Sequence, residues 1–215
     1  MRVVLTLIFV TISSVAIWGY AADTTESVFS NPLSAQNETQ FMTKVNQLQL
    51  KKEQTRQFTQ QKQIAALKRP LISKGTIVLN PKGICMATQS PFSSAVKITS
   101  DGIWQQTGNR KAIVKSADDH FEIRHTARIL IALFTADKKV LQNRFSIFYW
   151  QNESQFQIGL RPKDRILAKI ISNIVIEGSA NIHRIAIREA NGDTTNILIS
   201  DETPTQHITL DTCIQ

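Results

Sequence analysis

Between residues 58 and 104 short apolar-rich runs alternate with polar positions. Turn residues cut them at regular intervals: Lys74-Gly75, Asn80-Pro81-Lys82-Gly83, Gln89-Ser90-Pro91 and Ser100-Asp101-Gly102. Alternation of this kind, punctuated by turn dipeptides, predicts a meander of antiparallel strands. Ile77 and Leu79 fall on one side of their strand, as do Ile84 and Met86 on the next, then Val96 and Ile98. Ile103-Trp104 and residues 111–115 complete the meander. Upstream, Phe58, Gln60, Lys62 and Ile64 would share one face of an early or edge strand. A helix is expected before it, from near Ser34, because Phe41, Val45, Leu48 and Leu50 recur at roughly helical spacing.

The period changes at Asp118-Asp119. From residue 120 to 134 the apolar positions Ile123, Ala127, Leu130, Ile131 and Phe134 recur every three or four residues, as in an amphipathic helix. Asp118 or Asp119 would cap its free amides and complement its dipole. Residues 136–141 add a short further turn of helix. Strand patterns then resume over 145–150 and 155–160, joined by Gln151-Asn152-Glu153-Ser154. Residues 166–171 suit either strand or helix. Strands follow over 174–177, 182–188 and 195–199, the last after the Asn191-Gly192-Asp193 turn, and residues 207–210 could close the sheet. The order describes an α+β domain of about ten strands and two or three helices. A single strongly curved antiparallel sheet, an unclosed β-barrel with helices covering its concave face, accounts for it.

The N-terminus changes the setting. Met1-Arg2, an almost uniformly apolar run over 3–18, and Gly19-Tyr20-Ala21 form a secretory signal peptide pattern over residues 1–21. Residues 22–33 are polar and read as a flexible leader, leaving 34–215 as one domain. The run is short for a bilayer span, and no Cys lies near the cleavage point, so a soluble exported protein is expected. The 215 residues carry 25 Lys+Arg against 17 Asp+Glu, a net charge of +8. A basic surface can meet nucleic acid, anionic lipid or an acidic partner, and export makes nucleic acid the poorest fit. Part of the excess lies in Lys51, Lys52, Arg56, Lys62, Lys68, Arg69 and Lys74, where it can also be a solvated edge that deters sheet–sheet aggregation. Cys85 and Cys213 are the two cysteines, and an oxidising compartment permits one disulfide between them. Their pattern alone leaves a bridge and two separate thiols both open.

Catalytic signatures are mostly absent. The chain has no Gly-x-Ser-x-Gly elbow, no His-Glu-x-x-His and no phosphate-binding glycine loop. His120 and His125 are separated by about 140° on a helix, a poor arrangement for sharing a metal, and His183 beside Arg184 reads as a surface residue. No metal, cofactor or catalytic residue is expected. The apolar material is more informative. Phe148 and Trp150 are assigned to one strand face, and Phe156, Ile158 and Leu160 to a face of the next. With Ile77, Leu79, Ile84, Met86, Val96, Ile98 and Trp104 they would line one surface of the sheet. Periodicity does not separate a lined cavity from a filled core.

The ordered motifs resemble those of the outer-membrane lipoprotein carrier (LolA) family. They are Phe58-x-Gln60, the Gly75 strand, Pro81-x-Gly83, Ser90-Pro91-Phe92 and the Ser100-Asp101-Gly102 turn, then an interrupting helical segment and further strands. The likeness runs over roughly residues 37–199 and is nearer a compact LolA-like branch than the classical carrier. It implies a monomeric periplasmic protein whose apolar groove takes acylated lipoprotein or another lipid from an inner-membrane donor to an outer-membrane acceptor. It also implies a lid, assigned to residues 120–134 with Leu130, Ile131 and Phe134 touching the sheet. Two departures stand out. Where the classical family has Phe-Arg-Trp, this chain has Ile84-Cys85-Met86, so the Arg that helps hold the lid helices shut is replaced by Cys85. Met86 replaces the Trp with a flexible thioether that suits an adaptable lipid surface. Alternatives are a glycolipid or lipid-precursor carrier, a periplasmic acyl-ester hydrolase, and a structural scaffold with a filled core.

Overall fold

Phe41, Val45 and Leu48, spaced four and three residues apart, are the buried stripe of helix α1 (Glu38–Leu48). This spacing sets one apolar face against the sheet. The helix begins four residues later than the pattern suggested, because Asn37 is occupied in shaping the approach. Its Oδ1 accepts from the Ser34 amide at 2.8 Å, and its Nδ2 donates to the Pro32 carbonyl at 3.3 Å. The computed structural model describes residues 28–108, 113–116, 131–132, 137–202, 204 and 208–214. The expected signal peptide, the Asp118 and Asp119 cap, His120, His125 and His207 lie outside the described residues.

Among the described residues eleven strands form one antiparallel sheet: β1 (Gln54–Gln63), β2 (Leu71–Asn80), β3 (Gly83–Ser90), β4 (Ser94–Thr99), β5 (Gly102–Thr107), β6 (Ile113–Ser116), β7 (Phe145–Gln151), β8 (Phe156–Pro162), β9 (Ile171–Gly178), β10 (Ile182–Glu189) and β11 (Thr194–Ser200). Their spatial order is β6-β5-β4-β3-β2-β1-β11-β10-β9-β8-β7. Two meanders thus meet at the β1–β11 pair, and among the described strands the sheet does not close, since β6 and β7 are its two edges. Short helices α2 (Lys138–Arg144) and α3 (Arg165–Ala168) precede β7 and β9. Residues 166–171, ambiguous from their pattern, divide into the end of α3 and the start of β9.

Polar side chains fix the turns at the expected places. Asn80 Oδ1 accepts from the Lys82 amide at 2.8 Å, Asn152 Oδ1 from Gln155 at 2.7 Å and Asn191 Oδ1 from Asp193 at 3.0 Å. These are the local bonds by which Asn replaces ladder pairing at a hairpin end. Lys74-Gly75 is different. It lies inside β2, not at a turn, at a register shift against β3. A Cβ at Gly75 would collide with the Ala87 carbonyl oxygen, so the glycine permits a close backbone approach at a bulge.

Direct pairing places facing residues on the same side of an antiparallel sheet. One face carries the core: Phe58, Ile77, Leu79 and Ile84 from the first meander. Phe145, Ile147, Tyr149, Phe156, Ile158, Leu160, Ile174, Ile176, Ile185, Ile197 and Ile199 come from the second. Phe41, Val45 and Leu48 of α1 and Leu141 of α2 join this cluster, and the Phe41 ring meets Tyr149 edge-on at 5.5 Å. The opposite face is held at two places. Residues 28–33, expected as a flexible leader, dock on the β7 edge: Leu33 N donates to Ile147 O, and Tyr149 N to Asn31 O, both at 2.9 Å. Val28 is fully buried there, and Phe29 packs edge-on against Phe148. Gly159 leaves the space that Val28 and Phe29 fill. The segment also blunts an otherwise exposed edge strand.

The second place is the C-terminal segment. Residues 208–210 form no closing strand. They cross the opposite face of β2 and β3, where Leu210 is buried with Val78 and Cys85. Glu53 Oε2 accepts from the Leu210 amide at 3.2 Å and from Asn80 Nδ2 at 2.8 Å. Cys213 is bonded to Cys85, with Cα atoms 6.4 Å apart and 128 positions between them in sequence.

Tyr149 gives the core a pH signature. Burial pushes its phenol from 10.0 to about 12, and its hydroxyl donates to Gln151 Oε1. The folded protein therefore holds this proton more tightly than the unfolded chain does. The contribution is complete below pH 10 and declines as pH rises through about 12. The gap is worth roughly 2–3 kcal/mol. Denaturant midpoints between about pH 9 and about pH 12 should fall more steeply for the parent than for Tyr149→Phe. Equal slopes would remove Tyr149 from the account.

Candidate functional site

The residues expected to line a groove divide into three groups. Ile77, Leu79, Ile84, Phe156, Ile158 and Leu160 share the core face, and all are buried. They are filled core under α1, not the wall of an open cavity. Met86, Val96 and Ile98 occupy the same face and are half-buried. The cross-strand pairs Ile77–Met86–Val96 and Leu79–Ile84–Ile98–Ile103 run as two rows across β2 to β5. Beyond Ile84 the apolar face therefore continues as a strip of Met86, Val96, Ile98 and Ile103 that keeps contact with solvent. Met86 still packs against the core cluster, so the strip and the core are continuous.

Trp104, Phe148 and Trp150 lie on the opposite face, and their assignment to the groove is corrected. Phe148 pairs with Gly159 and Trp150 with Gln157, whereas Tyr149 pairs with Ile158 and Ile147 with Leu160. In β7 both parities are apolar, so alternation alone did not decide which one faces inward. Core packing under α1 selects Phe145, Ile147 and Tyr149. Trp104 pairs with Lys97, whose ammonium sits 5.3 Å from the ring centroid. Ile103 takes the inward position instead, and the Ile103-Trp104 pair was the signal that held it.

Of the expected lid residues, Leu130 and Phe134 lie outside the described residues. Ile131 is described with Ala132. Both are helical; Ala132 is buried in the core cluster and Ile131 packs half-buried against it. Cys85 faces away from the core, with Val78 and Lys97 as its cross-strand neighbours. His183 is exposed on β10.

Hollows on the described surface include a larger and a smaller one. One, of about 540 Å³, lies on the face opposite the core and is lined largely by polar groups, among them Gln57, Thr59, Lys74, Thr76 and Glu202. The other, of about 70 Å³, lies on the core face at the C-terminal end of α1, among Leu48, Leu50, Leu79, Ile182 and Ile199. It has room for a few waters, not an acyl chain.

No protein-family model and no curated protein matches the chain. Solved structures similar to it in shape include the following three. A LolA superfamily protein from Nitrosomonas europaea is 8% identical over 81% of this chain and 96% of its own, with a TM-score of 0.42. A putative outer membrane lipoprotein-sorting protein domain from Vibrio parahaemolyticus is 9% identical over 83% and 97%, at 0.42. A DUF1329 family protein from Desulfovibrio piger is 8% identical over 87% and 96%, at 0.43. No residue role is carried across from them.

Proposed function

We propose that this chain is a non-catalytic carrier that takes the acyl chains of a lipoprotein, or of a related lipid, on the apolar face of its sheet. The observation that carries the proposal is the strip of Met86, Val96, Ile98 and Ile103, apolar, half-exposed and continuous with the core. The motif order of the sequence supports the same reading. In it the protein is exported to the periplasm as a monomer, receives cargo from an inner-membrane donor and passes it to an outer-membrane acceptor. The sheet curves around the cargo, and helices cover its concave side.

The energetics suit transfer. Enclosing an acyl chain gains about 0.8 kcal/mol per CH₂, or about 10 kcal/mol for a long one. A carrier that kept all of this would not release its cargo. Here the inner part of the face is already filled by Phe41, Val45, Leu48 and Ala132, so part of the gain is spent displacing packed side chains. The helix containing Ile131 is assigned as the lid that yields.

Ile98→Asp places a charge on the strip at a position water already reaches. Binding of a fluorescent fatty acid should weaken at least about tenfold, with the denaturation midpoint little changed. Unchanged binding would contradict the carrier reading. A filled-core scaffold is the second reading, favoured by the complete burial of Ile77, Ile158 and Leu160. It predicts no saturable binding to the parent protein at all.

A further inference from the structure

We propose that the end of the sheet bearing the β1–β2 and β3–β4 turns is a docking surface for an anionic lipid bilayer. The surface is the rim of the sheet, separate from the face assigned to cargo. Five large apolar side chains are exposed at this end: Leu67, Leu71, Ile72, Ile170 and Phe92, the last 79% exposed. Their positions follow from topology. β2 begins at Leu71 and its neighbour β3 ends at Ser90, while β9 begins at Ile171 at the same end of the sheet, four strands from β2. Lys74 pairs with Ser90. Ile72 lies two residues before Lys74 in β2, and Phe92 lies in the turn that follows Ser90, so both stand at the same end of neighbouring strands. Exposed apolar groups concentrated in this way mark an interaction surface.

The charge at this end is one-sided. Lys68, Arg69 and Lys74 are exposed, and none has an ion-pair partner among the described residues. Three acids at this end are engaged, Asp164 by the Leu167 amide at 2.9 Å, and Glu202 lines the same hollow as Lys74. Glu189 holds Lys62 at 2.7 Å. Asp193 is buried and accepts from the Ala65 amide at 2.9 Å and from Asn191 Nδ2 at 3.2 Å. The combination is a cationic collar around aliphatic and aromatic tips. It matches a bilayer surface: phosphate outside, hydrocarbon a few ångströms below. A folded acidic protein would satisfy the lysines and leave Phe92 and Leu71 to find an apolar pocket of their own.

The test is cosedimentation of the full folded protein with vesicles. One set is phosphatidylcholine alone; the other is equal parts phosphatidylcholine and phosphatidylglycerol. The protein should partition to the anionic vesicles and be released by about 1 M salt, where screening extends only about 3 Å. Lys68→Gln/Arg69→Gln/Lys74→Gln should lower partitioning by about fivefold per residue, the equivalent of about 1 kcal/mol each. Phe92→Ser should lower it further, while fatty-acid binding and the denaturation midpoint stay at parent values. Three results would overturn the proposal. They are no binding to anionic vesicles, equal binding to both vesicle types, and substitutions that leave partitioning unchanged or reduce it only together with fatty-acid binding. A carrier that fails this test can still bind fatty acid, so the two readings fail separately.

Discussion

Ile158→Asp is expected to abolish the cooperative folded state, not merely a binding function. Ile158 has no exposed surface and lies between Tyr149 and Ile176 on the core face. A carboxylate there would lose its water with no cation to replace it. The described core face at this point is Phe, Tyr, Ile and Leu from four strands, with α1 above it. Isolated burial of this kind ranks among the few substitutions that cost more than about 4 kcal/mol, against a total stability of about 5–15 kcal/mol. Circular dichroism and urea titration should show a largely unfolded chain. A parent-like transition would mean that water reaches Ile158 and that the face is open where it is described as filled. The contrast with Ile98→Asp, two strands past β2 on the same face, separates the filled part of the face from the half-exposed strip.

Removing the Cys85–Cys213 bond should have the second-largest effect. The bond ties the C-terminal segment to β3 across 128 positions of chain. A loop of that length is worth about 5 kcal/mol in the chain-entropy model, and losses of about 2–5 kcal/mol are typical. Cys85→Ser/Cys213→Ser should lower the melting temperature by roughly 5–20 °C. The change is asymmetric in location. Cys85 sits on the face away from the core, with Val78 and Leu210, so hydrogen exchange should rise first in the amides of residues 208–214. Fatty-acid binding at temperatures where the variant remains folded should be preserved. A change of less than about 1 kcal/mol would show that Glu53 and Leu210 hold the segment without the bond.

How far these residues could be read in advance differs by kind. The strand order of the first meander was legible because Asn80-Pro81, Ser90-Pro91 and Asp101-Gly102 punctuate it and turn chemistry is local. The inward parity of β3 and β4 was legible too, since Ile84, Met86, Val96 and Ile98 are bulkier than Cys85, Ala87 and Ala95, and Lys97 marks the other face. In β7 it was not: Phe145, Ile147 and Tyr149 compete with Phe148 and Trp150, and only α1 and the β8 partner decide between them. Gly75 looked like a turn because a bulge and a turn ask the same freedom of a glycine. Residues 28–33 looked like a leader because their partners, Ile147, Tyr149 and Gly159, are more than 100 positions away. The filled state of the inner face was illegible for a related reason. Ile77 and Ile158 carry the same pattern whether a helix or a ligand covers them.

The central claim is that the apolar face holds an acyl cargo, and native mass spectrometry of the protein purified from its own cells tests it most directly. The account predicts a fraction of molecules carrying one noncovalent adduct of lipid or lipoprotein mass, absent from Ile98→Asp prepared in the same way. Parent protein found only at its bare mass, even after incubation with a lipoprotein or fatty acid, would contradict it.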